Sequence, residues 1–347
     1  MRAWRLTGEP SVEHGLRQDD SQSECTPPIG RQVVVRVRAA ALNFRDAMIL
    51  RGTYAVPAAP GTVPVSDGAG DVVAVGPDTR DLVVGDRVVS TYFPRWRGGT
   101  LTAGDAVEQF GSSRDGVLGE WFVCEEDELV RPPAHLDAAE AATLPCSALT
   151  AWSALTGPAP VLPGQTVLTL GTGGVALFAV QFARLFGVRV ISATSSADKA
   201  KKLADLGADA TIDYRAEPNW DRAVLEETDG AGVDRVVETV GPQTLERSIR
   251  STAVNGEIAH VGGGGFGDEQ PVALDPRILH GRALTVRRVT VGSRQDFEVM
   301  NRAIALHRLR PVIDTVVGFD SAPRAYERLV DRAHVGKIVV DVSDCRD

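Results

Sequence analysis

Residues 167–196 hold the residue types and spacing with the clearest chemistry. An apolar run, Val167-Leu168-Thr169-Leu170, meets Gly171-Thr172-Gly173-Gly174-Val175-Ala176. An apolar-periodic stretch from Leu177 to Phe186 follows and stops at Gly187, and Val188-Arg189-Val190-Ile191 begins a second strand-like run. The order is strand, glycine turn, helix, strand. Gly171 permits the tight turn, Gly173 lets backbone approach a ligand closely, and the small Ala176 lets the helix pack on the strand. A helix opening at Gly174 points its unpaired N–H groups and its positive end at an anion. In this βαβ setting the pattern predicts a dinucleotide cradle, with Gly171, Thr172, Gly173, Gly174 and Val175 around the pyrophosphate.

The end of the second strand selects the dinucleotide. NAD sites place Asp or Glu there, ~20 residues after the first glycine, to bond the ribose 2′-hydroxyl. Here the stretch reads Ala193-Thr194-Ser195-Ser196-Ala197-Asp198-Lys199. Thr194, Ser195 and Ser196 leave room for a 2′-phosphate and can donate to it, and Lys199 reaches it as a point charge. Such charge-assisted bonds contribute roughly 1.5–3 kcal/mol each. NADPH is therefore expected over NADH. Ser195 and Ser196 can also cap the helix that carries Lys199. Asp198 runs against the assignment, but it falls in that helix's first turn, where an acid suits the dipole.

The elements around this site come from a chain of 347 residues, enough for two domains. Hydrophobic residues make up 43% and charged residues 24%, typical of a soluble globular chain. The net charge of -9 argues against nucleic acid and anionic membranes as partners. No apolar stretch is long enough to span a bilayer, and Met1-Arg2-Ala3-Trp4-Arg5-Leu6 lacks a signal-peptide core. Cys25, Cys124, Cys146 and Cys345 form no CxxC pair, which points to free thiols in a reducing cytoplasm. Residues 30–130 alternate as short strands, as in Gln32–Ala39, Asp71–Gly76 and Asp86–Val89, and predict a small barrel or sandwich. Residues 94–119 are non-periodic and read as a long surface loop. From about residue 135, helices and strands alternate, which predicts a parallel, doubly wound sheet.

These pieces resemble, in order and over nearly the whole chain, the medium-chain dehydrogenase/reductase superfamily. The resemblance is strongest to its zinc-free, quinone-oxidoreductase-like and alcohol-dehydrogenase-like branch. Carrying it are Ala41-Leu42-Asn43-Phe44-Arg45-Asp46 with Arg51-Gly52-Thr53-Tyr54, Pro64 to Gly76 followed by Val84-Gly85-Asp86-Arg87-Val88, and Leu144-Pro145-Cys146 with Leu149-Thr150-Ala151-Trp152. The glycine turn, Leu206-Gly207-Ala208-Asp209 and Gly232-Val233-Asp234 complete the set. The resemblance implies an α/β chain. A GroES-like β-barrel catalytic domain would occupy 1–134 and 290–347, and a doubly wound Rossmann domain would occupy 135–289. A strand near Ala283–Val291 would pair with its twin in a homodimer.

Zinc-dependent relatives carry Cys, His and Cys where this chain has Asn43, Ser66 and Cys146. Asn and Ser are poor zinc ligands, so no metal is expected, although Asp46 and Asp67 could supply oxygens to one. The six histidines show no ligand spacing, and Cys146 reads as a packed thiol. Without a Lewis acid, another group must stabilise charge on the substrate oxygen. Asn43 offers its amide and Tyr54 its phenol. Asn43 can equally hold the nicotinamide ribose or loop backbone, and Tyr54 can simply line the pocket with Met48, the 94–119 loop and residues near Phe266. By resemblance, Thr150 would bond the nicotinamide carboxamide or ribose. Ser195, Ser196, Lys199 and Tyr214 would surround the ribose phosphate, and Thr239, Val240, Val261, Gly262 and Val291 would line the nicotinamide. Lys337 matches a C-terminal basic position near the cofactor, or is a solvated lysine.

The expected activity is zinc-independent, NADPH-dependent hydride transfer to an activated alkene or carbonyl of a small molecule, such as an enone, quinone or aldehyde, with water supplying the proton. The alternatives are a metal-free alcohol dehydrogenase, a non-catalytic NADPH-binding sensor or structural protein and, disfavoured by the acidic balance, an RNA binder.

Overall fold

The computed structural model of the chain describes residues 2–20, 26–262 and 273–343. Gly263, Gly264, Gly265, Phe266, Cys25 and Cys345 lie outside the described residues. The chain forms two compact units, Met1–Leu149 with Gly292–Asp347, and Thr150–Val291.

In the first unit, β1 (Ala3–Leu6) and β2 (Leu16–Asp19) make an antiparallel ribbon. β3 (Gln32–Leu42) is rich in β-branched residues, and Val33, Val34, Val35 and Val37 are buried. It runs directly into α1 (Phe44–Leu50), and β4 (Asp67–Val75), β5 (Arg87–Ser90), α2 (Ala103–Ala106), β6 (Trp121–Glu125), β7 (Leu129–Val130) and α3 (Ala138–Ala142) follow. Residues 94–119 are irregular apart from α2, but they do not form the expected surface loop throughout. Phe110, Val117 and Leu118 are buried. Gly111 and Gly116 bring their backbone against Val65, where an added Cβ would lie 2.6 Å and 2.1 Å from Val65 atoms. Val65 itself has φ +73°, a conformation a β-branched residue adopts only under constraint.

The second unit is entered along α4 (Leu149–Thr156) and continues with β8 (Thr166–Leu170), α5 (Gly174–Leu185), β9 (Arg189–Thr194), α6 (Ala197–Asp205) and β10 (Ala210–Asp213). It then runs through α7 (Trp220–Glu226), β11 (Val233–Glu238), α8 (Pro242–Ser251), β12 (Thr252–His260) and β13 (Thr285–Arg288). Its six-stranded sheet is parallel in the order β10-β9-β8-β11-β12-β13. Leu168, Ile191, Val236 and Ile258 share one buried apolar cluster, as strands covered on both faces require. The strand order reverses between β8 and β11, which is where open α/β sheets bind ligands.

The chain returns to the first unit through α9 (Arg294–His307), β14 (Ile313–Gly318), α10 (Ala322–Val330) and β15 (Lys337–Asp341). The sheet there is ordered β14-β15-β3-β4-β5-β7, with β6 also pairing β3. The antiparallel register sets Ile338 opposite Leu42, so Lys337 and Asn43 stand together just past the last pair. Among the described residues, no helix is long and apolar enough to cross a membrane.

Candidate active site

In the second unit the glycine turn forms as its residue types dictate. Gly171 has φ +79°, and its N–H donates to Ala193 O at 2.7 Å, tying the turn to the neighbouring strand. Gly173 is the N-cap of α5. A Cβ built on Gly173 meets nothing within 4 Å, so open space faces this backbone. Thr172 is buried, while Gly174 and Val175 in the first helical turn are half-buried. The first N–H groups of α5 have no intrahelical partner by construction. These features fit a pyrophosphate.

Thr194 ends β9 with its hydroxyl buried and without a partner among the described residues. Ser195 is half-buried beside it. Ser196, and not Ser195, is the N-cap of α6; it accepts from Lys199 N at 3.4 Å, and its O–H proton stays available. Lys199 is half-buried, Tyr214 is 40% exposed, and the Tyr214 N–H donates to Thr194 O at 2.9 Å. The turn therefore brings Thr194 and Tyr214 onto adjacent strand ends. Asp213 pairs with Thr194 in register, but its carboxylate accepts from Arg215 N at 2.9 Å.

At the switch point Thr239 donates its hydroxyl to Leu170 O at 2.7 Å. Sequence reasoning missed Glu238 behind it. This fully buried carboxylate accepts from the N–H groups of Val240 (2.9 Å) and Gly241 (3.0 Å) and from the hydroxyls of Thr244 (2.9 Å) and Ser248 (2.5 Å). It clamps the turn that carries Thr239 and Val240, and its only sequence signal was an acid closing an apolar strand. Arg288, also missed, donates to Val261 O (2.8 Å) and Gly262 O (2.9 Å). Thr150 is buried on α4, and Val291 is buried with φ +45°, a second constrained valine.

In the first unit Asn43 caps the N-terminus of α1, and its N–H donates to Asp46 Oδ2 at 2.8 Å. Its side chain faces elsewhere. Oδ1 accepts from Lys337 Nζ at 2.6 Å and from Ser147 Oγ at 3.1 Å. Nδ2 is buried and has no partner among the described residues. Lys337 corrects the sequence reading. It is 2% exposed and also donates to Leu42 O at 2.6 Å, so it is neither a solvated lysine nor a free basic contact for a cofactor. The paired register of β15 with β3 buries it.

The Tyr54 hydroxyl is engaged within the protein. It donates to Gln109 Oε1 at 2.8 Å, and Gln109 is oriented by Nε2 donating to Ala106 O at 3.1 Å. Tyr92 Oη lies 2.8 Å from Tyr54 Oη and must then be the donor of that pair, because Tyr54 has one proton. Burial pushes the Tyr92 phenol well above the ordinary tyrosine value. The buried Arg45 guanidinium stacks on both rings, 5.0 Å from Tyr54 and 4.8 Å from Tyr92, and donates to Phe110 O at 2.8 Å. Tyr92, Gln109 and Arg45 were not legible as a unit, because nothing in their spacing links them.

Two acids complete the cluster. Asp67 is buried, accepting from Ser66 Oγ at 2.7 Å and from Cys146 N at 3.0 Å. Burial pushes the Asp46 carboxyl up to about 6, against the pull of Arg45. Burial and the charge of Asp67 push the Cys146 thiol far up, so it stays protonated. Among the described residues, no three His, Cys, Asp or Glu side chains group as a metal site.

Two sequence families match the chain: the alcohol dehydrogenase GroES-like domain over residues 30–134 and zinc-binding dehydrogenase over residues 174–305. A zinc-type alcohol dehydrogenase-like protein of Schizosaccharomyces pombe is 38% identical, covering 90% of this chain and 91% of the relative. The quinone oxidoreductase of Pseudomonas aeruginosa is 33% identical, covering 90% and 92%. An NAD-dependent alcohol dehydrogenase superposes with a TM-score of 0.88 at 32% identity, covering 99% of this chain and 100% of that one. A mycobacterial protein solved in complex with NADPH gives a TM-score of 0.80 at 29% identity, covering 99% and 100%.

Proposed function

The chain belongs to the medium-chain dehydrogenase/reductase superfamily and is an NAD(P)H-dependent oxidoreductase, and from that premise we propose a narrower activity: zinc-independent, NADPH-preferring reduction of activated alkenes or carbonyls such as enones, quinones or aldehydes. The observation that carries it is the Asn43 amide, fixed by Lys337 and Ser147 with Nδ2 buried and unpaired among the described residues. A preorganised donor of this kind stabilises charge as it develops on a carbonyl or enolate oxygen.

Zinc does not suit these residues. Asn43 Oδ1 already accepts from an ammonium, and the oxygens of Asp67 have donors, while zinc takes Cys, His or free carboxylate. The match described as zinc-binding covers residues 174–305, which include none of Asn43, Ser66 and Cys146. When bound, the reduced nicotinamide supplies a hydride. Gly171 to Val175 hold the pyrophosphate, and Thr194, Ser195, Ser196 and Lys199 receive the 2′-phosphate. Thr239, Val240, Val261 and Gly262 bound the nicotinamide, Asn43 holds the substrate oxygen, and water supplies the proton. NADPH preference is supported by the absence of an acid from Thr194 to Ser196. A homodimer is supported by β13, an outer strand on which Val286 is 50% exposed. A reducing, cytoplasmic setting is supported by the free thiols of Cys124 and Cys146.

The test measures oxidation of NADPH and NADH by 1,4-naphthoquinone, 2-cyclohexenone and hexanal after dialysis against a chelator. Turnover that survives chelation and favours NADPH is expected. Lys199→Ala is expected to lower kcat/KM for NADPH by about tenfold while sparing NADH, as for one lost charge-assisted bond. Equal use of both cofactors refutes the phosphate pocket, and activity restored only by added zinc refutes the metal-free mechanism.

A further inference from the structure

Lys337 and Asn43 are joined by the sheet rather than by sequence. Gly336, with φ +97°, lets the chain enter β15 against Val312, where a Cβ would lie 2.3 Å from the Val312 carbonyl oxygen. The register with β3 then delivers the Lys337 ammonium to two acceptors, Leu42 O and Asn43 Oδ1, each at 2.6 Å. Both bonds are charge-assisted, because the donor is an ammonium. An ammonium only donates, so the amide cannot flip: a flipped Asn43 would set its own N–H groups against Nζ. Ser147 adds a second donor to the same oxygen. Both of these donors lie on the Oδ1 side, and Nδ2 is left buried and, among the described residues, unpaired. The cation is not isolated electrostatically. Buried Asp46 and Asp67 offset buried Lys337 and Arg45.

We infer that Lys337 is a positioning residue for the reduction: its ammonium locks the Asn43 amide with Nδ2 turned toward the substrate oxygen and polarises that amide, so that a fixed internal cation acts through Asn43 where a metal-dependent enzyme would act through a Lewis acid. A hydrogen bond to a charged donor strengthens the next bond along the chain, so Nδ2 becomes the better donor. The inference rests on the reading of Asn43 as the donor to substrate.

A double-mutant cycle in the full-length protein tests it, with Lys337→Met, Asn43→Ala and the double variant. The readouts are kcat for NADPH oxidation by 1,4-naphthoquinone, NADPH affinity by fluorescence titration, and the melting temperature. Expected is a fall in kcat of about 10- to 100-fold for Lys337→Met with NADPH affinity unchanged, the range for a weakened oxyanion donor. In the Asn43→Ala background the same replacement should change kcat by less than about threefold. Equal losses in both backgrounds, or a folded Lys337→Met enzyme with undiminished kcat beside an impaired Asn43→Ala, overturn the role of Lys337 and leave the reading of Asn43 intact. Undiminished kcat in Asn43→Ala overturns that reading, and this inference with it. If Lys337→Met does not fold, Ser147→Ala is used, which should lower kcat in the same direction but less, with no further loss in the Asn43→Ala background; additive loss overturns the inference. A readout without turnover uses protein labelled with ¹⁵N-asparagine. The Asn43 side-chain amide signals, identified by their loss in Asn43→Ala, should shift upfield in Lys337→Met or Ser147→Ala, and unmoved signals overturn the inference.

Discussion

Thr239 donates its hydroxyl to the carbonyl of Leu170 at 2.7 Å, fastening the ends of the two strands that flank the point where the strand order reverses. Leu170 immediately precedes the glycine turn, so this bond sets the turn's position relative to the loop after β11. Thr239→Val keeps the shape and removes the donor. It should cost about 1 kcal/mol in urea unfolding and weaken NADPH binding, whereas Thr239→Ser should do neither.

Gly171 and Gly173 face similar open space but differ in backbone. Gly173 has φ -75°, which alanine accepts, so Gly173→Ala should keep the melting temperature. Its methyl group would stand where the pyrophosphate must approach, and NADPH affinity should fall by tenfold or more, about 1.4 kcal/mol. Gly171 has φ +79°, so Gly171→Ala should destabilise the fold by about 1 kcal/mol even without cofactor. Calorimetry with and without NADPH separates the two effects.

Asp46 gives stability a pH dependence of defined sign. Its folded carboxyl titrates at about 6, above the ordinary aspartate value of 3.8. Between these values the folded chain binds more protons than the unfolded chain, so this carboxyl's contribution is full in acid and is lost as pH rises toward 6 and just beyond. The difference corresponds to about 3 kcal/mol. Asp46→Asn, whose amide oxygen can still accept from Asn43 N, should flatten that part of the profile in urea unfolding between pH 4 and 8. An unchanged slope would show that Asp46 is charged throughout.

Tyr54→Phe should lower kcat by less than about threefold, under 0.7 kcal/mol, because the Tyr54 proton already belongs to Gln109. Tyr92 then loses its acceptor, and the cost should fall on stability instead. A loss of 100-fold in kcat with normal melting would restore Tyr54 as a donor to substrate.

The second unit was the more legible one. Its glycine turn, helix periods and strand runs are local signals, and β8, α5 and β9 fall where the residues between Thr166 and Thr194 place them. The first unit's site was legible only in part. Asn43 stood out by its type, but its orientation depends on Lys337, 294 residues away, and sequence spacing carries no trace of a β15–β3 register. Glu238 looked like the polar end of a strand, since a carboxylate's four donors cannot be counted before the turn is folded. β14 was not anticipated either; its outer-edge position leaves Val316 half exposed and blurs the alternation.

The four buried charges around Asn43 also divide the molecule by its response to ionic strength. Arg45, Lys337, Asp46 and Asp67 are each at most 6% exposed, so dissolved ions cannot enter to shield one from another. Lys199 is half-exposed and within reach of counterions, whose screening length is about 8 Å in physiological saline. Concentrated salt should therefore loosen the hold on a phosphate-bearing coenzyme while leaving the bond-making step at its original speed once the enzyme is saturated.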